Sequence, residues 1–216
     1  MNNKYDAIIF DFDFTLADAS EGIEHCLRYG FEQMNIEFVS PGMEIYTSGI
    51  TLKELISSHT NNSDEKFLED VYAQYLVVAK ESMTDMTRLF DDTHEALIHL
   101  RENNYMLGIV SNKYRYRIEE FLERNNYGDL FEVIIGMEDM KEPKPAPEGL
   151  LLAMKRLSAN ADKTLFIGDN PVDAETAHRA GTAFIGVSRY GHKHFENTDH
   201  DLIALIKSLE ELKVYL

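Results

Sequence analysis

Five short apolar runs punctuate the chain, at residues 5–10, 105–110, 132–135, 164–168 and 183–187. Each is nearly free of polar positions and is bounded by Gly, Asn or Asp. Runs of this kind suit strands buried on both faces, which belong to parallel sheets covered by helices. Between them the apolar residues fall at helical spacing. Residues 94–100 place Ala96, Leu97 and Leu100 on one face. Residues 147–154 open on Pro147, a favourable first helical position. Residues 173–180 stop at Gly181, a good C-cap. Strand and helix alternate, which predicts a doubly wound α/β fold with a Rossmann-like parallel sheet.

One block departs from the alternation. Between Asp18 and Asp85 no strand-like run occurs, and residues 23–34, 52–58 and 65–83 carry helical periodicity. A crossover between neighbouring strands needs far less chain. The pattern therefore predicts a parallel-sheet core at 1–17 and 85–216, with an inserted α-helical cap domain at 18–84. The block forms a lid in this reading; the alternative is an independent bundle that binds a partner. The aromatics Tyr46, Phe67, Tyr72 and Tyr75 are expected in its core.

Charge and composition narrow the functions. The 216 residues are 44% hydrophobic, enough for a full core, and carry a formal net charge of -17. Such an acidic chain is a poor partner for nucleic acid or an anionic membrane. An anionic substrate would need a local cluster of cations. Cys26 is the lone cysteine, so neither an internal disulfide nor a multi-cysteine zinc site is available, as fits a reducing cytoplasm. The expected location is cytoplasmic, since no apolar run is long enough for a bilayer and the first residues lack a signal-peptide pattern.

The candidate chemistry sits where the predicted strands end. Asp11 and Asp13 follow the first run, two residues apart, and so share a face of an extended segment. Two carboxylates that close repel unless a cation or proton lies between them. They suit a divalent metal and a nucleophile, or they simply terminate a strand. Ser111-Asn112-Lys113 follows the second run and offers a hydroxyl, an amide and backbone N–H groups to phosphate oxygens; taken alone it is also an ordinary turn. Lys144 is stiffened between Pro143 and Pro145, ahead of a helix. There it would neutralise charge, although a solvated linker reads the same way. Asp169, in Gly168-Asp169-Asn170-Pro171-Val172-Asp173, ends the fourth run and would complete a metal site with Asp11 and Asp13. Hard oxygen donors without a Cys or His cluster favour Mg²⁺ over zinc.

Together these segments resemble the haloacid dehalogenase-like hydrolase superfamily over nearly the whole chain. Asp11-Phe12-Asp13-Phe14-Thr15 is similar to its first motif, Ser111 to the second, Lys144 to the third, and residues 168–173 to the fourth. Lys144-Pro145-Ala146-Pro147-Glu148 and residues 177–181 resemble the phosphoglycolate phosphatase-like branch with its small α-helical cap. The resemblance implies that Asp11 is a nucleophile forming an aspartyl-phosphate and that Asp13 is the acid and then the base. It implies phosphate contacts from Thr15, Ser111 and Asn112, and charge screening by Lys144. It assigns Mg²⁺ to Asp11, the main-chain carbonyl of Asp13, and Asp169, with Asp173 and Asn170 behind them.

The family usually has glycine where Phe14 stands, and a positive φ there would cost a phenylalanine roughly 1 kcal/mol. Asp13 disfavours dehalogenation and phosphonate cleavage, whose branches lack an acid at that position. A β-phosphoglucomutase-like mutase keeps it, but such enzymes tend to carry a cap arginine where Leu52 stands and an aliphatic residue at the position of Thr15. The expected activity is therefore Mg-dependent hydrolysis of a small phosphorylated metabolite of the phosphoglycolate, sugar phosphate or nucleotide type. The alternatives are a phosphosugar mutase and a non-catalytic ligand-binding member. Gly49, Thr51 and Lys53 in the cap, with Arg28, are the expected substrate contacts. The expected state is a monomer or homodimer, with neither nucleic acid nor membrane as partner.

Overall fold

A computed structural model describes residues 3–48, 50–191, 195 and 202–216. In chain order its elements are β1 (Ala7–Phe10), β2 (Ala17–Asp18), α1 (Ser20–Gln33), α2 (Met43–Tyr46), α3 (Leu52–Thr60) and α4 (Glu65–Ser82). There follow β3 (Arg88–Leu89), α5 (Thr93–Glu102), β4 (Met106–Val110), α6 (Arg115–Arg124), β5 (Val133–Ile135), α7 (Glu148–Leu157), β6 (Thr164–Gly168), α8 (Pro171–Ala180), β7 (Ala183–Val187) and β8 (Ala204–Ile206). The chain divides into two compact units, Met1–Ala17 with Leu89–Leu216, and Asp18–Arg88. Among the described residues no helix is long and apolar enough to cross a membrane.

The first unit is an α/β fold around a six-stranded sheet of order β5-β4-β1-β6-β7-β8, with each neighbouring pair parallel. Successive strand side chains point to opposite faces, so each strand feeds two cores. From β1, Ile8 and Phe10 join Leu97, Leu100, Ile118 and Phe121 on one side. Ala7 and Ile9 join Leu150, Ala153, Phe166 and Ala177 on the other. Both faces are covered by helices, which is why these strands are almost uniformly apolar. Phe166 is fully buried, and truncating such a side chain to alanine costs about 3–5 kcal/mol. The strand order reverses at β1: the chain adds β4 and β5 on one side, then crosses to β6 on the other. In open α/β sheets the crevice at such a reversal, beyond the strands' carboxyl ends, is where ligands bind.

In the six-stranded sheet and its flanking helices, the sequence pattern does not predict β8 and α6. The three-residue edge strand β8 ends an apolar run at 202–206, preceded by the polar segment 188–201, which carries no helical periodicity. In the highly polar α6, the apolar buried side chains are Ile118, Phe121 and Leu122.

The second unit is helical apart from its terminal strand residues, and its core contains Leu27, Phe31, Leu55, Ile56, Val71 and Tyr75. Tyr46, Phe67 and Tyr72 pack against that core, and the Tyr72 and Tyr75 rings stack 6.0 Å apart. Helices α1 and α4 approach closely at Gly30, where a Cβ would lie 3.1 Å from the Val71 carbonyl oxygen. Thr51 caps α3 by accepting from the Glu54 amide at 3.2 Å, and Asp64 caps α4 by accepting from Phe67 N at 2.8 Å. The sequence pattern drew the end of this block at residue 84, whereas the compact unit runs to Arg88. The extra residues still bond back to α4: Met86 N donates to the Ser82 carbonyl, and Thr87 Oγ1 donates to the Met83 carbonyl at 2.8 Å.

Candidate active site

Three strands of the sheet end in polar residues on the same edge. Asp11 follows β1 and its amide donates to the Ile167 carbonyl at 2.8 Å, so the β1–β6 ladder extends one residue into the site. Ser111 follows β4, held by its amide on the Ile135 carbonyl at 3.1 Å. Asp169 follows β6 and leads into α8. Asn170 caps that helix, its Oδ1 accepting from Val172 N at 3.0 Å. Asp173 completes the capping box, its Oδ2 accepting from Asn170 N at 3.2 Å. At Gly168 any side chain would collide with the Asp173 carboxylate.

Lys144 binds these segments together. Its Nζ lies 2.8 Å from Asp11 Oδ1 and 2.6 Å from Asp173 Oδ1, and the side chain is almost entirely buried. Its bond to Asp173 is well aligned. Asp11 Oδ1, by contrast, is within ion-pair distance but accepts no aligned hydrogen bond. Burial works to lower the Lys144 pKa, but Asp11 and Asp173 outweigh it and hold the ammonium above its ordinary value.

Asp11, Asp169 and Asp173 each present a carboxylate oxygen within 4.8 Å of the others. Three buried carboxylates face one ammonium, and the deficit of positive charge appears in their acidity. Burial, then repulsion from Asp173 and Asp11, raises Asp169 well above the ordinary range. Burial, with repulsion from Asp11, pushes Asp173 up to about 6 despite Lys144. The donors are all hard oxygens, so a divalent cation fits this cluster and would relieve its repulsion.

Asp13 stands in a different environment. Its carboxylate takes both oxygens to Lys113 Nζ, at 2.8 Å and 3.1 Å. Burial raises its pKa, and Lys113 opposes that shift only in part. The two acids of the first motif are thus held by separate lysines.

The family model described as haloacid dehalogenase-like hydrolase matches residues 8–187. The chain belongs to this family. A haloacid dehalogenase-like hydrolase from Bacteroides fragilis is 41% identical, superposes with a TM-score of 0.88, and the alignment covers 97% of this chain and 100% of that one. The pyrophosphatase PpaX of Bacillus velezensis is 26% identical over 87% of this chain and 85% of its own length. The phosphoglycolate phosphatase of Colwellia psychrerythraea is 26% identical over 89% of this chain and 88% of its own.

Within this hydrolase framework, Asp11, Lys144, Asp169 and Asp173 converge, with Ser111 at the neighbouring strand end. Two residues expected on phosphate have other partners. The Thr15 hydroxyl is fully buried and donates to Asp169 Oδ1 at 3.0 Å, so here it orients a carboxylate. The Asn112 amide is bonded at both ends to the Lys144 backbone: its Oδ1 accepts from Lys144 N at 2.9 Å and its Nδ2 donates to Lys144 O at 3.2 Å. Asp13 was expected on the metal through its main chain, and its carboxylate lies outside the three-acid cluster. In the helical unit Thr51 serves as a cap, Lys53 lies 3.5 Å from Glu69, and Gly49 falls outside the described residues. Sequence reading missed Lys113 as the partner of Asp13, and the buried pair of Arg189 with Asp92. Lys113 had one signal, its place two residues after a strand end.

Proposed function

We propose that the protein is a Mg²⁺-dependent phosphatase that hydrolyses a small phosphorylated metabolite through an aspartyl-phosphate at Asp11. The observation that carries this reading is the division of labour at the first motif. Asp11 faces the Lys144 ammonium inside the acidic cluster, while Asp13 is held apart by Lys113 with its pKa raised by burial. An Asp11 carboxylate oxygen attacks phosphorus, and the ester oxygen leaves with the proton of Asp13. Asp13, now a carboxylate, takes a proton from the water that attacks the same phosphorus. The acyl phosphate then breaks, orthophosphate leaves, and Asp11 is regenerated. Lys144 stays charged throughout and offsets charge building on the transferring group. Asp11 and Asp169 would hold Mg²⁺, with the Asp13 carbonyl as a third donor and Asp173 behind them; the ion would supply Lewis-acid stabilisation of phosphoryl oxygens. Thr15 aims Asp169, and Asn112 fixes the backbone that presents Lys144.

Selection among phosphorylated compounds is assigned to the helical unit acting as a cap. It carries a groove of about 450 Å³ lined by Glu24, Arg28, Ser40, Met43 and Tyr46 among others. Glu24 organises it, accepting from Arg28 at 3.0 Å, Ser40 at 2.6 Å and Tyr46 at 3.4 Å. The lining is mixed, with Glu24, Arg28 and Ser40 beside Met43 and Met86, and suits a leaving group with both polar and apolar parts.

The test is phosphate release with Mg²⁺ from pyrophosphate, phosphoglycolate, sugar phosphates and nucleotides, with Asp11→Asn as control. Release that vanishes in the variant supports the reading, and the rank order names the substrate. Absence of release from every compound overturns it. Arg28→Ala or Tyr46→Phe should reorder the panel; an unchanged order would remove the groove from selection.

A further inference from the structure

Phe14 adopts a left-handed backbone, φ 63°, in the turn between Asp13 and Thr15. The turn closes on its own backbone bonds, Phe14 N to the Ala17 carbonyl at 2.6 Å and Ala17 N to the Phe12 carbonyl at 3.1 Å, and contacts from outside it add to these against the intrinsic cost of that shape. Arg189 is placed to make them. It follows β7, its side chain is 6% exposed, and it reaches Thr15, 174 residues away in sequence. Its Nη2 donates to the Thr15 carbonyl at 2.7 Å, and its Nε points to the same oxygen at 3.3 Å. Its Nη1 donates to Asp92 Oδ2 at 2.6 Å. That oxygen also accepts from Ser208 Oγ and Leu209 N, both at 2.7 Å, so the aspartate is itself fixed. The guanidinium covers the Phe90 ring at 4.3 Å. Tyr190, the next residue, packs edge-on against Phe90 and Phe14, with ring centroids 6.2 Å and 6.5 Å apart. One segment thus grips both the backbone carbonyl of Thr15 and the side chain of Phe14. The adjacent carbonyl, of Leu16, is held by Thr93 Oγ1 at 2.8 Å.

We propose that Arg189, anchored by Asp92, is a positioning residue that keeps the 13–15 turn in the shape that sets Asp13 and aims the Thr15 hydroxyl at Asp169. The catalytic part of this inference rests on the phosphatase reading; the conformational part does not.

The test is a double-mutant cycle of Arg189→Ala and Phe14→Gly, with Arg189→Lys and Asp92→Asn in parallel. Misplacing a reactive group by an ångström costs up to about 100-fold, so Arg189→Ala should lower kcat by ~10- to 100-fold with KM little changed. Arg189→Lys keeps one donor for the Thr15 carbonyl and should recover part of the loss. Glycine at position 14 accepts the left-handed backbone unaided, so the Arg189→Ala loss should shrink in the Phe14→Gly background, in kcat and in the urea unfolding midpoint alike. An unchanged kcat in Arg189→Ala, or effects that simply multiply in the cycle, would overturn the proposal. If the alanine variant does not fold, Arg189→Lys and Asp92→Asn replace it on the same criteria. If the wild type releases no phosphate, the phosphatase reading fails, and the unfolding cycle alone decides whether Arg189 supports the turn.

Discussion

Asn112 clasps Lys144 by its main chain, accepting from the amide and donating to the carbonyl of the same residue. The turn after β4 thereby sets where the segment carrying the buried ammonium lies, although 32 residues separate the two positions.

Asn112→Ala should leave that backbone amide and carbonyl without partners. An unsatisfied buried polar group costs about 1–3 kcal/mol; these bonds are partly buried, so water takes up part of the loss and the low end applies, while the ammonium loses its fixed origin. The expected result is a loss of stability at that low end and a kcat lowered ~10-fold or more, with KM changed less. Urea unfolding and steady-state kinetics measure the two effects; equal kinetics would mean that Lys144 is positioned by its carboxylates alone.

Asp169 is expected to trade stability for activity. Its charge is disfavoured by burial and by two neighbouring carboxylates. Asp169→Asn removes that charge and keeps an oxygen for the Thr15 hydroxyl, so the metal-free variant should gain about 1 kcal/mol while phosphate release is lost. Thermal unfolding in EDTA checks the first half; a destabilised variant would show that the Asp169 charge is already well compensated.

The same repulsion sets a pH dependence. Asp173 titrates near 6 in the folded protein, above the ordinary carboxylate value of about 3.9 in an unfolded chain. Between those values the native state binds more protons than the unfolded one, so stability rises as pH falls. Metal-free protein should therefore gain melting temperature as pH is lowered from about 8 through 6 toward 4, and Asp173→Asn should flatten that rise relative to wild type. Mg²⁺ should stabilise more at the alkaline end, where the acids are charged. Parallel slopes for variant and wild type would exclude Asp173 as a source of the effect.

Lys113 should tune the acid. It opposes the burial that raises the Asp13 pKa, so Lys113→Met should move that pKa further up. If protonated Asp13 is needed for the first step, the alkaline limb of kcat/KM against pH shifts to higher pH. A limb that stays in place would separate Asp13 from proton transfer to the leaving group.

What could be read from sequence follows from how local each signal is. The central strands were legible because burial on both faces makes residues such as Ile8, Ile9 and Phe10 apolar without interruption. Strand β8 was not, although residues 202–206 are all apolar, because the polar segment before them breaks the alternation of strand and helix that marked the others. At the site, Asp11, Lys144 and Asp169 announce themselves by position, each at or near a strand end. Hydrogen-bond partners do not. Nothing near Thr15 indicates that its hydroxyl meets an aspartate 154 residues later, and nothing near Asp92 points to Arg189, 97 residues on. Such pairs are set by the assembled sheet, which also explains why the Asn112 amide, read as a phosphate ligand, is engaged with backbone.

The central position of β1 has a consequence for how the molecule comes into being. Phe10 pairs with Ile109 on one side and Ile167 on the other, so the strand that leads into Asp11 is made first and gains its second neighbour only when β6 emerges. Closing a loop of that length is slow relative to local structure. The helical unit, by contrast, builds its core from one contiguous stretch and can mature while β1 still waits. A ribosome-bound chain ending before residue 168 would contain Asp11 and Lys144 but neither Asp169 nor Asp173. The cluster of three acids is thus completed only once β6 and the residues after it have joined β1.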